Sequence, residues 1–304
     1  MKILIVGGTG MIGGHAALHL SAKGHQVALA ARRPAGVDTP MGSFPVLLGD
    51  YTQGDFPAAE LSPFDAVVFA AGNDIRHLPR GVDEDDFWQR TQIEGVPAFA
   101  ERAKKAGVKR FVQLGSYYHH VMPHLAQTNA YVRARKLADE GARSLAGPDF
   151  NASTLNPPSI VGVMPGVAAR RYATLTAWGK GETPTIPDYA PAGGTNYMSV
   201  RSLCEAIAGA VEHAEPGRAY LIGDENLTFT DFFQMVFDAV GSGRRLEERD
   251  QEHPLLPDAF IVPGRGNVLA YEPDPAETRL LGYRRNDVRR AVEEVVRMVE
   301  STPR

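Results

Sequence analysis

Apolar positions in the first half of the chain fall into short runs, separated by longer segments in which they recur every three or four residues. "KILIVG", "QVALAAR", "PVLLGD", "DAVVFAAG" and "KRFVQLGS" are rich in Val, Leu and Ile and do not strictly alternate. A half-exposed strand would alternate apolar and polar residues, so these runs predict strands covered on both faces. Between them, "MIGGHAALHLSAKG" and "EDDFWQRTQIEGVPAFAERAKKAG" predict helices, with Gly24 and Gly107 as their C-terminal stops. Strands alternating with helices predict an α/β fold, a Rossmann-type doubly wound parallel sheet.

From about residue 156 the texture changes to Pro- and Gly-rich stretches such as "LNPPSIVGVMPG", "GKGETPTIPDYAPAGG" and "PDPAETRLLGY". They predict a smaller, loop-rich C-terminal region that binds substrate. The expected division is a nucleotide-binding domain over 1–155 and a substrate region over 156–304. Residues 195–223 or so, through "NYMSV", the helix around Cys204 and "AYLIG", are expected to return to the first domain.

Composition narrows the function classes. The 304 residues, 43% hydrophobic and 22% charged, are ordinary for a globular chain with a substantial core. A net charge of −4 and a pI near 6.1 provide no basic surface to displace counterions, so neither nucleic acid nor an anionic membrane is an expected partner. Cys204 is the single cysteine, which rules out an intrachain disulfide and suits a reducing, cytoplasmic setting. The N-terminal apolar run breaks into glycines after Val6 and therefore reads as strand and turn, not signal peptide. No continuous apolar run reaches the roughly 18 residues of a transmembrane helix.

The strongest chemical signal is "VGGTGMIGG", where Gly7, Gly10 and Gly13 lie between a strand and a helix. Glycines there permit a tight turn and close backbone approach to a pyrophosphate, and the helix N-terminus supplies amide donors. Thr9, Met11 and Ile12 stand between them as further cofactor contacts. Where an NAD site would place a carboxylate after the second strand, "VALAARRP" places Arg32 and Arg33. Arginine meets a 2′-phosphate bidentately, so NADP is expected rather than NAD. Asp50 reads either as an acceptor for the adenine amino group or as a turn former. Ala70, Ala71 and Gly72 end the fourth strand with small residues that leave room for a cofactor.

These residues together resemble the extended short-chain dehydrogenase/reductase superfamily, in its epimerase/dehydratase and dihydroflavonol-reductase-like branch. The resemblance covers most of the chain, through "GGTGMIGG", "GHQVALAARRP", "GVKRFVQLGS", "LNPPSIVG", "NYMSVRSLCEAI" and "GRAYLIGDENLTFTDFF". It implies Ser116 as the residue that polarises a carbonyl, Tyr131 as the proton donor or acceptor, and a cation on the same helix to stabilise the phenolate. By the family's pattern Asn156 and Pro157 border the cofactor. In "TNAYVRARKLADE" the family's lysine position is Arg135, and Lys136 follows. A helix turns about 100° per residue, so Arg135 lies about 40° from Tyr131 and Lys136 about 140° away. Arg135 is thus the expected partner and Lys136 the fallback. Gln92, Asn156 and Arg201 depart from the Asn, Arg and Asp common in relatives.

His119, His120 and His124 lack a carboxylate or cysteine at a recognisable ligand spacing, so no metal is expected and a substrate-lining loop is preferred. Tyr117 and Tyr118 join that lining, and Trp178 and Tyr172 suit an apolar or aromatic substrate. The expected function is an NADP-dependent oxidoreductase moving hydride between nicotinamide and a carbonyl or secondary alcohol of a small molecule. A homodimer is the common assembly of similar proteins. The alternatives are a nucleotide-sugar epimerase or dehydratase, and a dinucleotide-binding regulator whose catalytic group has decayed.

Overall fold

A computed structural model describes residues 1–301. Its largest sheet has seven strands: β1 (Lys2–Val6), β2 (Gln26–Ala31), β3 (Val46–Leu48), β4 (Ala66–Phe69), β5 (Arg110–Leu114), β6 (Asn151–Asn156) and an edge strand, Ala219–Leu221. All neighbouring pairs are parallel. From that edge strand the order is β6, β5, β4, β1, β2, β3, the arrangement of a doubly wound sheet. The predicted non-alternating strands have the predicted cause: every residue of β4, and all but the first of β1 and β2, is buried.

The order reverses between β1 and β4, and ligands of such sheets bind beyond the strand ends at that point. Gly7 follows β1 there with φ +82°, and a Cβ on it would stand 2.8 Å from the Ala71 amide nitrogen after β4. Helix α1 (Met11–Ala22) follows, with Gly10 as its N-cap and no side chain capping it. Gly13 packs so tightly on the turn that a Cβ would collide with the Gly7 carbonyl oxygen.

The second predicted helix contains an irregularity that periodicity does not reveal. Glu84–Trp88 and Gly95–Lys105 are α-helical, but Gln89–Glu94 between them forms a π turn. Pro97, two residues into the second part, lacks an N–H and its ring crowds the preceding turn, so widening that turn relieves the conflict. The result aims fully buried Gln92 inward.

The chain divides into two compact units. One comprises Met1–Pro157, Arg201–Ile222 and Pro273–Tyr283 and holds the seven-stranded sheet. The other comprises Pro158–Val200, Gly223–Glu272 and, among the described residues, 284–301. In this second unit, strands Ser159–Val161, Gly194–Ser199, Glu225–Thr228 and Val268–Leu269 form one sheet, and Tyr189–Pro191 pairs with Glu247–Arg249. Its core gathers Trp178, Phe232, Phe233, Phe237, Val292 and Val295. Trp178 meets the edge of Phe237 at 4.6 Å and is 1% exposed, so it is a core residue and not the substrate contact expected from its aromatic character. No helix among the described residues is long and apolar enough to cross a membrane.

Candidate active site

Helix Ala130–Arg143 begins at Asn129, whose side chain accepts a bond from the Val132 amide. That cap fixes the first turn and sets Tyr131, Arg135, Asp139 and Arg143 at intervals of four along one side. Tyr131, Arg135 and Asp139 are buried, an unusual line for a helix whose outer face carries Arg133, Leu137 and Glu140.

Tyr131 packs against Trp88 at 5.1 Å and Tyr118 at 6.1 Å, and its side chain bonds to that of Ser116. Burial raises the phenol pKa, while the Arg135 charge and the Ser116 bond pull it down. Ser116 follows β5, and its amide donates to Asn156 Oδ1 at 2.9 Å. Asn156, fully buried at the end of β6, therefore fixes the backbone of Ser116. Its Nδ2 has no partner, and Pro157 after it is also buried.

Arg135 turns inward. Its guanidinium donates to the carbonyls of Leu114 at 2.8 Å and Gly115 at 2.5 Å and to Gln92 Oε1 at 3.2 Å. Gly72 makes room for it, since a Cβ there would stand 3.0 Å from the guanidinium. The π turn and the small residue after β4 thus both serve one side chain. Lys136 lies on the outer side, half-buried, and its ammonium bonds to Glu140 at 3.0 Å. One position along the helix turns this fallback candidate away from Tyr131.

At the strand ends of the switch point, Thr9, Met11, Ile12, Ala70, Ala71 and Gly72 are half-buried and Gly10 is exposed, which leaves an open rim over the glycine turn. Arg32 and Arg33 stand exposed after β2 and have no ion-pair partner among the described residues. Asp50 caps the turn Tyr51–Gln53, with Oδ1 accepting from the Thr52 amide at 2.9 Å and hydroxyl at 2.8 Å. Of its two readings, these bonds describe the turn former.

The segment after Ser116 forms two single-turn helices, Tyr118–Val121 and Leu125–Thr128, where a loop was expected. Tyr117 and Tyr118 stack at 4.3 Å. His119 is 8% exposed and does not line an open cleft; its Nε2 meets Asp139 Oδ2 at 3.2 Å. His120 Nε2 lies 3.4 Å from the same oxygen, and Arg143 Nε donates to Oδ1 at 2.5 Å. Burial alone would raise the Asp139 carboxyl, but these three partners hold it well below the usual carboxylate range. No motif spacing links this carboxylate to the histidines, because it arrives from a helix twenty residues further on.

A glycine turn at the switch point of a doubly wound sheet, with Ser116 and Tyr131 beyond the end of β5, defines a dinucleotide-binding protein of the extended short-chain dehydrogenase/reductase kind. The sequence profile of the NAD dependent epimerase/dehydratase family matches residues 3–223, and the chain belongs to that family of NAD(P)-dependent enzymes. No curated protein matches it in sequence. Among solved structures it is similar to gox2253, with 19% identity, TM-score 0.77 and 98% of each chain covered. The UDP-N-acetylglucosamine 4-epimerase from Bacillus cereus gives 13%, 0.74, all of this chain and 98% of that one. The human epimerase family protein SDR39U1 (isoform 2) with NADPH gives 19%, 0.66, and 98% of this chain and 99% of that one. At such identities these likenesses establish the fold.

Proposed function

We propose that the protein is an NADP-dependent reductase acting on a carbonyl of a small organic molecule. The observation that carries the reading is the buried Tyr131 bonded to Ser116, with the Arg135 charge one helical turn away. Gly7, Gly10 and Gly13, with Thr9, Met11 and Ile12 between them, would cradle the pyrophosphate, and Ala70, Ala71 and Gly72 would border the ring that reacts. Arg32 and Arg33, exposed and unpaired, fit a 2′-phosphate, which an acidic residue at that position would repel. Bound NADPH supplies the hydride.

Tyr131 is raised by burial and stays a neutral phenol near pH 7, the state needed to donate a proton to the reduced oxygen. Ser116 bonds to the same oxygen and keeps it in line with the phenol. When the proton leaves, the phenolate faces the positive potential of Arg135, which stays fixed by the two strand-end carbonyls. Arginine does not give up a proton, so Tyr131 is recharged through another donor. Absence of NADPH oxidation over a broad panel of ketones and aldehydes, despite firm NADPH binding, would remove this reading.

A second reading, a nucleotide-sugar epimerase or dehydratase, is favoured by family membership and by the activities in the names of similar structures, including a UDP-N-acetylglucosamine 4-epimerase. It requires tightly retained NAD. Purified protein that releases stoichiometric NAD on denaturation would support it over the NADPH reading.

A further inference from the structure

Asp139 presents two different sides. Arg143 holds Oδ1, which leaves Oδ2 facing the Nε2 atoms of His119 and His120. His119 Nε2 makes a hydrogen bond to Oδ2, whereas His120 Nε2, only 3.4 Å away, is out of line for one and has no other partner. One ligand atom from each of the three residues lies within 4.8 Å of the other two. Four-coordinate Zn2+ with ligands at about 2.0–2.1 Å holds neighbouring ligand atoms about 3.3–3.4 Å apart, close to the two separations seen here.

We propose that His119, His120 and Asp139 form a divalent-metal site that takes Zn2+ through His119 Nε2, His120 Nε2 and Asp139 Oδ2. Two imidazoles and one carboxylate are a ligand set for a borderline first-row ion. Arg143 orients the carboxylate from behind, as hydrogen-bonded outer partners do for ligating carboxylates. The His120 side chain is 26% exposed while its Nε2 is buried, so the ligand atoms lie just beneath the surface and a water would take the fourth position. The ion would join the turn Tyr118–Val121, directly after Ser116, to the helix that carries Tyr131. It would thereby fix Tyr117 and Tyr118 beside the candidate site without touching the reacting atoms. The proposal does not depend on which dinucleotide the protein uses.

The test is calorimetric titration of chelator-treated full-length protein with Zn2+ at pH 7.5, with Co2+ as a spectroscopic probe. One equivalent of Zn2+ should bind, Co2+ should show the intense visible absorption of a four-coordinate ion, and the thermal midpoint should rise with Zn2+. His120→Ala, at a partly exposed position, should keep its fold by circular dichroism and bind at least about tenfold more weakly. Asp139→Asn should do the same where it folds. His124→Ala, on an exposed residue outside the cluster, should bind as wild type. Absence of saturable one-to-one binding in the wild type, or unchanged affinity in folded His120→Ala, would overturn the proposal.

Discussion

Removing the Arg135 guanidinium would leave the carbonyls of Leu114 and Gly115 and the amide oxygen of Gln92 without this donor, at a site only 5% exposed. Buried acceptors stripped of a charged donor cost about 1–3 kcal/mol each, so Arg135→Ala should lose about 3 kcal/mol or more of stability, read by urea unfolding. Lys136→Ala breaks only a surface pair with Glu140 and should stay within about 0.5 kcal/mol. Equal losses would mean that Arg135 is not the inward cation. Arg32→Ala should weaken NADPH about tenfold to a hundredfold, as expected for one charge-assisted phosphate contact, and leave NADH nearly unchanged in fluorescence titrations. Helical spacing put Arg135 on the side of Tyr131 and Lys136 away from it. It could not reveal where the guanidinium goes, because Leu114, Gly115 and Gln92 are distant in sequence and two of the three partners are backbone carbonyls.

At the level of elements, the turn from β1 into α1 is defined by two glycines with no spare space. Gly13→Ala would drive a methyl group into the Gly7 carbonyl, so the turn must open and its amides lose their aim. The expected result is loss of detectable NADPH binding with the far-ultraviolet circular dichroism preserved; binding within twofold of wild type would show that the turn is not the pyrophosphate cradle. This turn and the strands of the large sheet were legible because their signals are local: a glycine spacing and runs of apolar residues. The π turn at Gln89–Glu94 was not, since Pro97 marks a conflict in the helix without saying how it is relieved. The cluster of His119, His120 and Asp139 was illegible for a different reason. Its carboxylate sits on the catalytic-candidate helix, and only the packing of Tyr118–Val121 on that helix brings the groups together.

Across the whole molecule, two buried histidines couple stability to pH. His253 is fully buried among Trp178, Tyr189 and Phe233, and burial lowers its pKa. Burial also lowers His119, against the opposing pull of Asp139. Both are neutral in the native state, whereas the unfolded chain takes up their protons below about pH 6.5. Their contribution is therefore complete above that value and is lost as pH falls through it toward the depressed native pKa. The Asp139 pKa is lowered as well, but its window lies further down: its stabilisation is complete above about pH 3.9 and is lost as pH falls below that value. Urea unfolding should show a decline in stability from pH 7.5 to 5.5 that His253→Gln makes shallower; an identical slope would assign the decline elsewhere. The central claim is that Tyr131, bonded to Ser116 and facing Arg135, donates the proton in an NADPH-dependent reduction. It is tested most directly by following NADPH oxidation over a panel of ketones and aldehydes with wild type and Tyr131→Phe side by side. The account predicts turnover by the wild type that falls about 100-fold or more in Tyr131→Phe, with NADPH affinity within twofold. Firm NADPH binding without turnover on any substrate, or equal turnover by the two proteins, would contradict it.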